Sequence, residues 1–219
     1  ILPGVDPQLV KPLASRVKGQ FERILLATRV AGVTETREAL TVDFEGPDGK
    51  RFQETYDRLL VAVGRKPVTQ DLGLENTKVK VGPDGFVAVD AHRRTAEESL
   101  FAIGDIAGQP MLAHKATHEG LSAVDSLIRT GSAYAPRAIP AVVFTDPEIA
   151  WCGLTEDEAR RQGLDVKVGV FPWQASGRAA TLDRPDGITK VVAEAATGRL
   201  LGVGLAGHAA GELVGEGVL

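Results

Sequence analysis

A chain of 219 residues with 25 basic and 29 acidic side chains carries a formal net charge of −4, with both signs dispersed along it. This distribution offers no basic stripe to a phosphate backbone and no like-charged run to act as a tail, which argues against nucleic acid as a partner. Apolar residues at 43% and charged residues at 25% match an ordinary globular protein with a packed core, large enough for one sizeable or two modest domains, and exclude wholesale disorder.

The first block, Asp6 to Lys18, spaces Leu9, Val10, Leu13 and Val17 along one face of a helix. The apolar run Ile24 to Val30 reads as a strand. Ala39 to Glu45 alternates sides, Gly46-Pro47-Asp48-Gly49 is a turn, and Arg51 to Thr55 completes a hairpin. Asp57 to Val63 is continuously apolar from Leu59, as expected for a strand buried on both faces of a sheet. Pro67 cannot continue a ladder, so a first domain is expected over residues 1–70.

The second domain, residues 71–138, should hold Val79–Val81, a Gly82–Gly85 turn, Phe86–Val89, and a buried strand Leu100–Ile103 running into Gly104-Asp105. A helix is expected from Ala113 to Arg129, ended by Gly131. The Pro-spaced segment Ala135 to Pro140 leads into a third domain over residues 139–219. Its strands are expected at Ala141–Phe144, Ile149–Gly153, Val166–Phe171, Thr189–Ala193 and Leu201–Leu205. Thr155 with Glu158 makes a capping box, Leu154 a staple, and Gly163 the end of that helix.

No apolar stretch approaches the roughly 20 residues needed to span a bilayer, and no signal segment opens the chain, so a cytoplasmic location is expected. The single cysteine, Cys152, has no partner thiol and reads as a buried, inert side chain of a reducing compartment.

The most informative stretch is Leu100 to Lys115. A strand would deliver Asp105 at its end, glycines would let backbone approach a ligand, and a helix would begin nearby with unsatisfied amides. Asp105 could accept hydrogen bonds from sugar-alcohol hydroxyls, and the helix start near Ala113 would favour a ligand that becomes anionic, such as a reduced isoalloxazine. From spacing alone, a plain turn capped by Asp105 is an equal alternative. His114 and His118 stand four apart with Glu119 next, but no third and fourth ligand is evident and no metal is expected. His208 and Glu212 read as structural polar residues.

The stretch through Gln109-Pro110-Met111-Leu112-Ala113-His114-Lys115 resembles the second flavin-binding motif of the pyridine nucleotide-disulfide oxidoreductases, in the version found in their dihydrolipoamide dehydrogenase branch. Leu59 to Pro67 is similar to that family's strand and turn at the nicotinamide site. Ala141 to Ala150 resembles the start of its dimerisation domain, and Phe171 to Ala179 a segment typical of the lipoamide branch rather than of glutathione or mercuric reductases. The resemblance implies an α/β fold, with part of a Rossmann-like NAD-binding domain, a second flavin-binding segment and an incomplete α+β interface domain. It implies FAD and NAD as cofactors, with Asp105 at the ribityl or diphosphate region and Ala113 at the isoalloxazine through its backbone. Met111, Leu112 and His114 would line the flavin site, and Val30, Ala62, Val63, Gly64 and Arg65 would lie along NAD, although Arg65 equally reads as a solvated loop residue. It further implies a homodimer that serves the lipoyl domains of 2-oxo acid dehydrogenase complexes.

The family's redox cysteine pair, its two Gly-rich nucleotide turns and its carboxy-terminal His-Glu acid-base pair are not found in these residues. The chain opens without Met and stops in what reads as mid-helix, as though cut at both ends. No catalytic residue is therefore expected in it, and no activity of the segment alone. A related flavin disulfide reductase or a non-catalytic dimerisation core are the competing readings.

Overall fold

The computed structural model describes residues 1–128 and 133–219. These form two compact units, Ile1–Gly64 and Arg65–Leu219.

In the first unit, helix α1 (Pro7–Val17) begins where the Asp6 side chain accepts the Gln8 amide at 2.9 Å and Pro7 presets the first helical turn. Its buried face is Leu9, Val10 and Leu13. Strands β1 (Arg29–Glu35), β2 (Leu40–Glu45) and β3 (Arg51–Tyr56) form an antiparallel sheet in that order, closed between β2 and β3 by the Gly46–Gly49 turn. Val42 on the central strand is fully buried, and Phe44 stacks on its cross-strand partner Phe52 at 5.1 Å.

Two expectations fail here. The apolar run at Ile24 is not a strand: β1 starts at Arg29 and continues to Glu35, where pairing with β2 is available, and Ile24 to Leu26 are exposed. Nor is Leu59 to Val63 a doubly buried strand. It has no regular structure, and Leu60 and Val63 are 89% and 93% exposed. An apolar run becomes a central strand only with a ladder on each edge and layers on both faces, and among the described residues nothing pairs with it.

The second unit opens with irregular chain. Val81 and Val87 form a single antiparallel bridge, as do Arg94 and Phe101. The strands expected at residues 79–81, 86–89 and 100–103 are thus reduced to bridges, and Ile103 is 40% exposed where a buried strand was anticipated. Helix α2 (Ala113–Ile128) follows; the expected terminus at Arg129 and Gly131 lies outside the described residues.

From residue 141 the expected strands all form. Strands β4 (Ala141–Val143), β5 (Glu148–Gly153), β6 (Val166–Pro172), β7 (Ile188–Glu194) and β8 (Leu200–Gly207) make one antiparallel sheet in the order β4-β5-β8-β7-β6. Helix α3 (Glu156–Arg161) carries the complete Thr155–Glu158 capping box. Helix α4 (Gly177–Thr181) is a short turn after β6, and α5 (Ala210–Val218) lies over β5 and β8, packing Ala210 and Val214 on Ala150, Cys152 and Leu205. The architecture is mixed helix and sheet, and no helix among the described residues is long and apolar enough to cross a membrane.

Candidate functional site

Asp105 sits on a short 3-10 turn, Gly104–Ala107, rather than at the end of a strand. Gly104 takes φ +74°, and a Cβ there would lie 3.2 Å from the Ala116 Cβ, so glycine both makes the bend and lets the turn rest on α2. The Val87 amide donates to the Ile106 carbonyl at 2.8 Å, fixing the turn from its other side.

The turn presents Asp105 outward. Its Oδ2 accepts from Arg65 Nη1 at 3.2 Å, with the two side chains 45% and 62% exposed, and Arg65 Nη2 also donates to the Met111 carbonyl. At that exposure the ion pair contributes little stability. Its effect is geometric: one guanidinium ties the carboxylate of the turn to the backbone just before α2. Met111 is buried beneath this tie, Leu112 is half-buried, and Ala113 and His114 are exposed at the helix start. The His114 Nε2 lies 2.7 Å from the Pro140 carbonyl, at the rim of a cavity of about 570 Å³ that His118, Ser122 and Tyr134 also line. The structure thus brings together Asp105, Arg65, Met111, Leu112, Ala113 and His114.

Val30 and Ala62–Gly64 belong to the first unit. Val30 is half-exposed on β1 opposite Phe44, and Ala62, Val63 and Gly64 are exposed in the irregular segment, where a Cβ on Gly64 would meet nothing within 4 Å. The surface there has room for a ligand to lie against backbone.

Sequence reasoning missed a buried ionic cluster under the Asp105 turn. Lys115 Nζ donates to the carbonyls of Gly104 at 3.0 Å and Gly108 at 2.8 Å, and pairs with Glu119 Oε1 at 3.2 Å. Glu119, fully buried, accepts the Gly104 amide at 2.7 Å and Arg93 Nη1 at 2.9 Å. A signal existed for part of it: Lys115 and Glu119 share a helix stripe with Ala123, and a charged pair among small residues on the inward face requires local partners. Arg93 had no such signal, because it reaches the cluster only through a backbone bend at φ +65°.

Glu119 is therefore committed to this cluster, and among the described residues no three His, Cys, Asp or Glu side chains converge as a metal site would require. Cys152 is buried, and burial pushes its thiol above the ordinary range.

Comparison with known proteins bears on the whole chain. Residues 1–120 match the family described as pyridine nucleotide-disulphide oxidoreductase, and residues 139–219 match its dimerisation domain. A dihydrolipoyl dehydrogenase of Vibrio cholerae is 40% identical over 216 residues, which are 99% of this chain and 45% of that protein. One from Thermus scotoductus is 42% identical over 220 residues, covering 100% of this chain and 48% of its own. Among solved structures, the HOCl-induced flavoprotein disulfide reductase RclA from Escherichia coli superposes with a TM-score of 0.88 at 26% identity, over 99% of this chain and 49% of that one. The chain spans about half the length of the relatives it matches.

Proposed function

Because the chain belongs to the pyridine nucleotide-disulphide oxidoreductase family, we propose that it forms part of a flavin-dependent, NAD-linked dihydrolipoyl dehydrogenase, to which it contributes one wall of the FAD site, part of the NAD floor and the dimerisation domain. The observation that carries this reading is the outward Asp105 turn set directly before the α2 amino terminus and latched to it through Arg65.

These residues fit a flavin nucleotide. Asp105 offers carboxylate oxygens at hydrogen-bonding reach of solvent, suited to ribityl hydroxyls. Gly108 lies open, with nothing within 4 Å of an added Cβ, so a planar group could approach the backbone there. The exposed Ala113–His114 edge presents first-turn amides, which favour a ring system that gains negative charge. Bound FAD and NAD would supply the transfer of an electron pair from a dithiol to a nicotinamide. The chain's own residues bind and orient: Asp105 and the α2 amides hold the flavin, Arg65 keeps Asp105 in register with Met111, and Val30 with Ala62–Gly64 form backbone surface for the nicotinamide nucleotide.

Lipoamide as the disulfide is supported by the names of the relatives and by the Phe171–Ala179 segment, which spans the end of β6 and the start of α4. Lipoyl domains of 2-oxo acid dehydrogenase complexes are the partners this substrate implies, with a homodimer built through residues 139–219 and a cytoplasmic setting. A flavin disulfide reductase with another substrate is the second reading, favoured by the structural likeness to RclA.

Asp105→Ala in the full-length protein tests the flavin assignment. It should lower the FAD content of the purified protein and raise the FAD dissociation constant about tenfold, in line with loss of a charge-assisted hydrogen bond. A wild-type flavin content in the variant would sink the role given to Asp105. NADH-dependent reduction of lipoamide measured beside glutathione disulfide separates the two substrate readings.

A further inference from the structure

The Lys115–Glu119–Arg93 cluster is buried in a place where apolar side chains would fill the same space at lower desolvation cost. Its bonds are not spread through the core. Three of them go to the backbone of one five-residue turn: Lys115 holds the carbonyls at both ends, Gly104 and Gly108, and Glu119 holds the Gly104 amide. Asp105 sits inside that bracket.

Arg93 is drawn in at some backbone strain. A non-glycine residue at φ +65° is uncommon, and here it directs the guanidinium between Glu119 and the face of Tyr134, 4.6 Å from the ring centroid. Two formal cations face one carboxylate, so the cluster carries one net positive charge, shielded from water and directly behind the turn.

We propose that Lys115, Glu119 and Arg93 form a positioning and charge-tuning device for the flavin: a clamp that holds the Gly104–Gly108 turn in shape and a fixed positive charge behind it that favours the reduced, more anionic flavin. This rests on the reading of the Asp105 turn as a flavin site. Lys115 and Glu119 are positioning residues. They touch the turn, and their charge acts across it through a low-dielectric interior where it is weakly screened. The two parts of the device separate by substitution. Removing the cation alone should destabilise the reduced flavin, whereas neutralising the carboxylate alone should stabilise it. A cluster that only supported packing would move the potential in no such paired way.

The experiment uses the full-length protein carrying Lys115→Met, Lys115→Arg or Glu119→Gln, and measures FAD release by flavin fluorescence together with the two-electron flavin potential. Lys115→Met is expected to release FAD at least tenfold faster and to shift the reduced-to-oxidised equilibrium about tenfold toward oxidised, about 30 mV more negative. Glu119→Gln, which keeps an acceptor for the Gly104 amide, is expected to shift the potential in the opposite direction. Lys115→Arg, which keeps the cation, is expected to keep the potential near the wild-type value. Should Lys115→Met fold but lose FAD outright, the clamp is supported and the potentials of Glu119→Gln and Lys115→Arg decide the charge role. Folded, flavin-bearing Lys115→Met and Glu119→Gln variants whose potentials are unchanged, or both shifted one way, would overturn the proposal, as would failure of all three variants to fold. Wild-type protein that binds no FAD would instead overturn the flavin reading on which it stands.

Discussion

Cys152 lies on β5 beneath α5, and a Cβ added to Gly217 would come within 3.3 Å of its sulfur, so the helix covers the thiol closely. Desolvation raises its pKa, with a weaker opposing effect from the hydrogen bond to the Val203 backbone. The net rise and the α5 cover make it a poor nucleophile, because the thiolate is the reactive form and the buried sulfur is shielded by the helix. The pH dependence has a definite sign. Below the unfolded-chain value, about 8.5, both states keep the proton; above it the unfolded chain releases its proton first, and the fold loses stability as pH rises toward the higher folded value. At pH 8, alkylation of native protein by iodoacetamide should therefore run at least about 100-fold slower than alkylation of denatured protein, following the opening equilibrium. Equal rates would show that Cys152 is not covered. In contrast with this thiol, Asp105 and Arg65 are half-exposed and mutually bonded, the condition of groups available to a ligand.

At the scale of elements, the loop after β6 is fixed to the sheet by Trp173. Its Nε1 donates to Thr189 Oγ1 at 2.9 Å, and its ring packs against Gly187 and Gly207, where a Cβ at either would collide with the indole. Gly207→Ala should displace the ring and break that bond, costing about 1–3 kcal/mol as overpacking does. The expected readouts are a red-shifted tryptophan emission and a lower denaturation midpoint; emission identical to wild type would mean the indole is not seated on Gly207. The interface sheet was legible in the sequence because everything it needs is local to residues 139–219: alternating strands, turn residues, and a capping box whose two partners are three residues apart. Leu59–Val63 was misread for the complementary reason. Its apolar continuity describes a strand with neighbours on both edges, and the described residues supply none. At the candidate site, Asp105, Met111 and His114 were legible from the motif, but their arrangement was not. The Arg65 tie spans 40 residues to Asp105 and 46 to Met111, and Arg93 joins Glu119 across 26, separations that no local pattern encodes.

For the whole molecule, the chemistry proposed for the family requires a dithiol or disulfide that exchanges electrons, and this chain has one cysteine, buried under α5. A single covered thiol cannot cycle between dithiol and disulfide within the chain. The apolar surface points the same way: Leu121, Val124, Leu127 and Ile128 are all more than half exposed along α2, and Leu60, Val61 and Val63 are exposed in the first unit. Contiguous apolar faces of this kind mark surfaces made to be covered, and the chain spans about half the length of its relatives. The 219 residues alone, supplied with FAD, NADH and lipoamide, should therefore show no NADH oxidation above a protein-free control. Lipoamide-dependent NADH oxidation by the purified 219-residue chain would overturn the expectation that the exchanging protein sulfurs lie outside these residues.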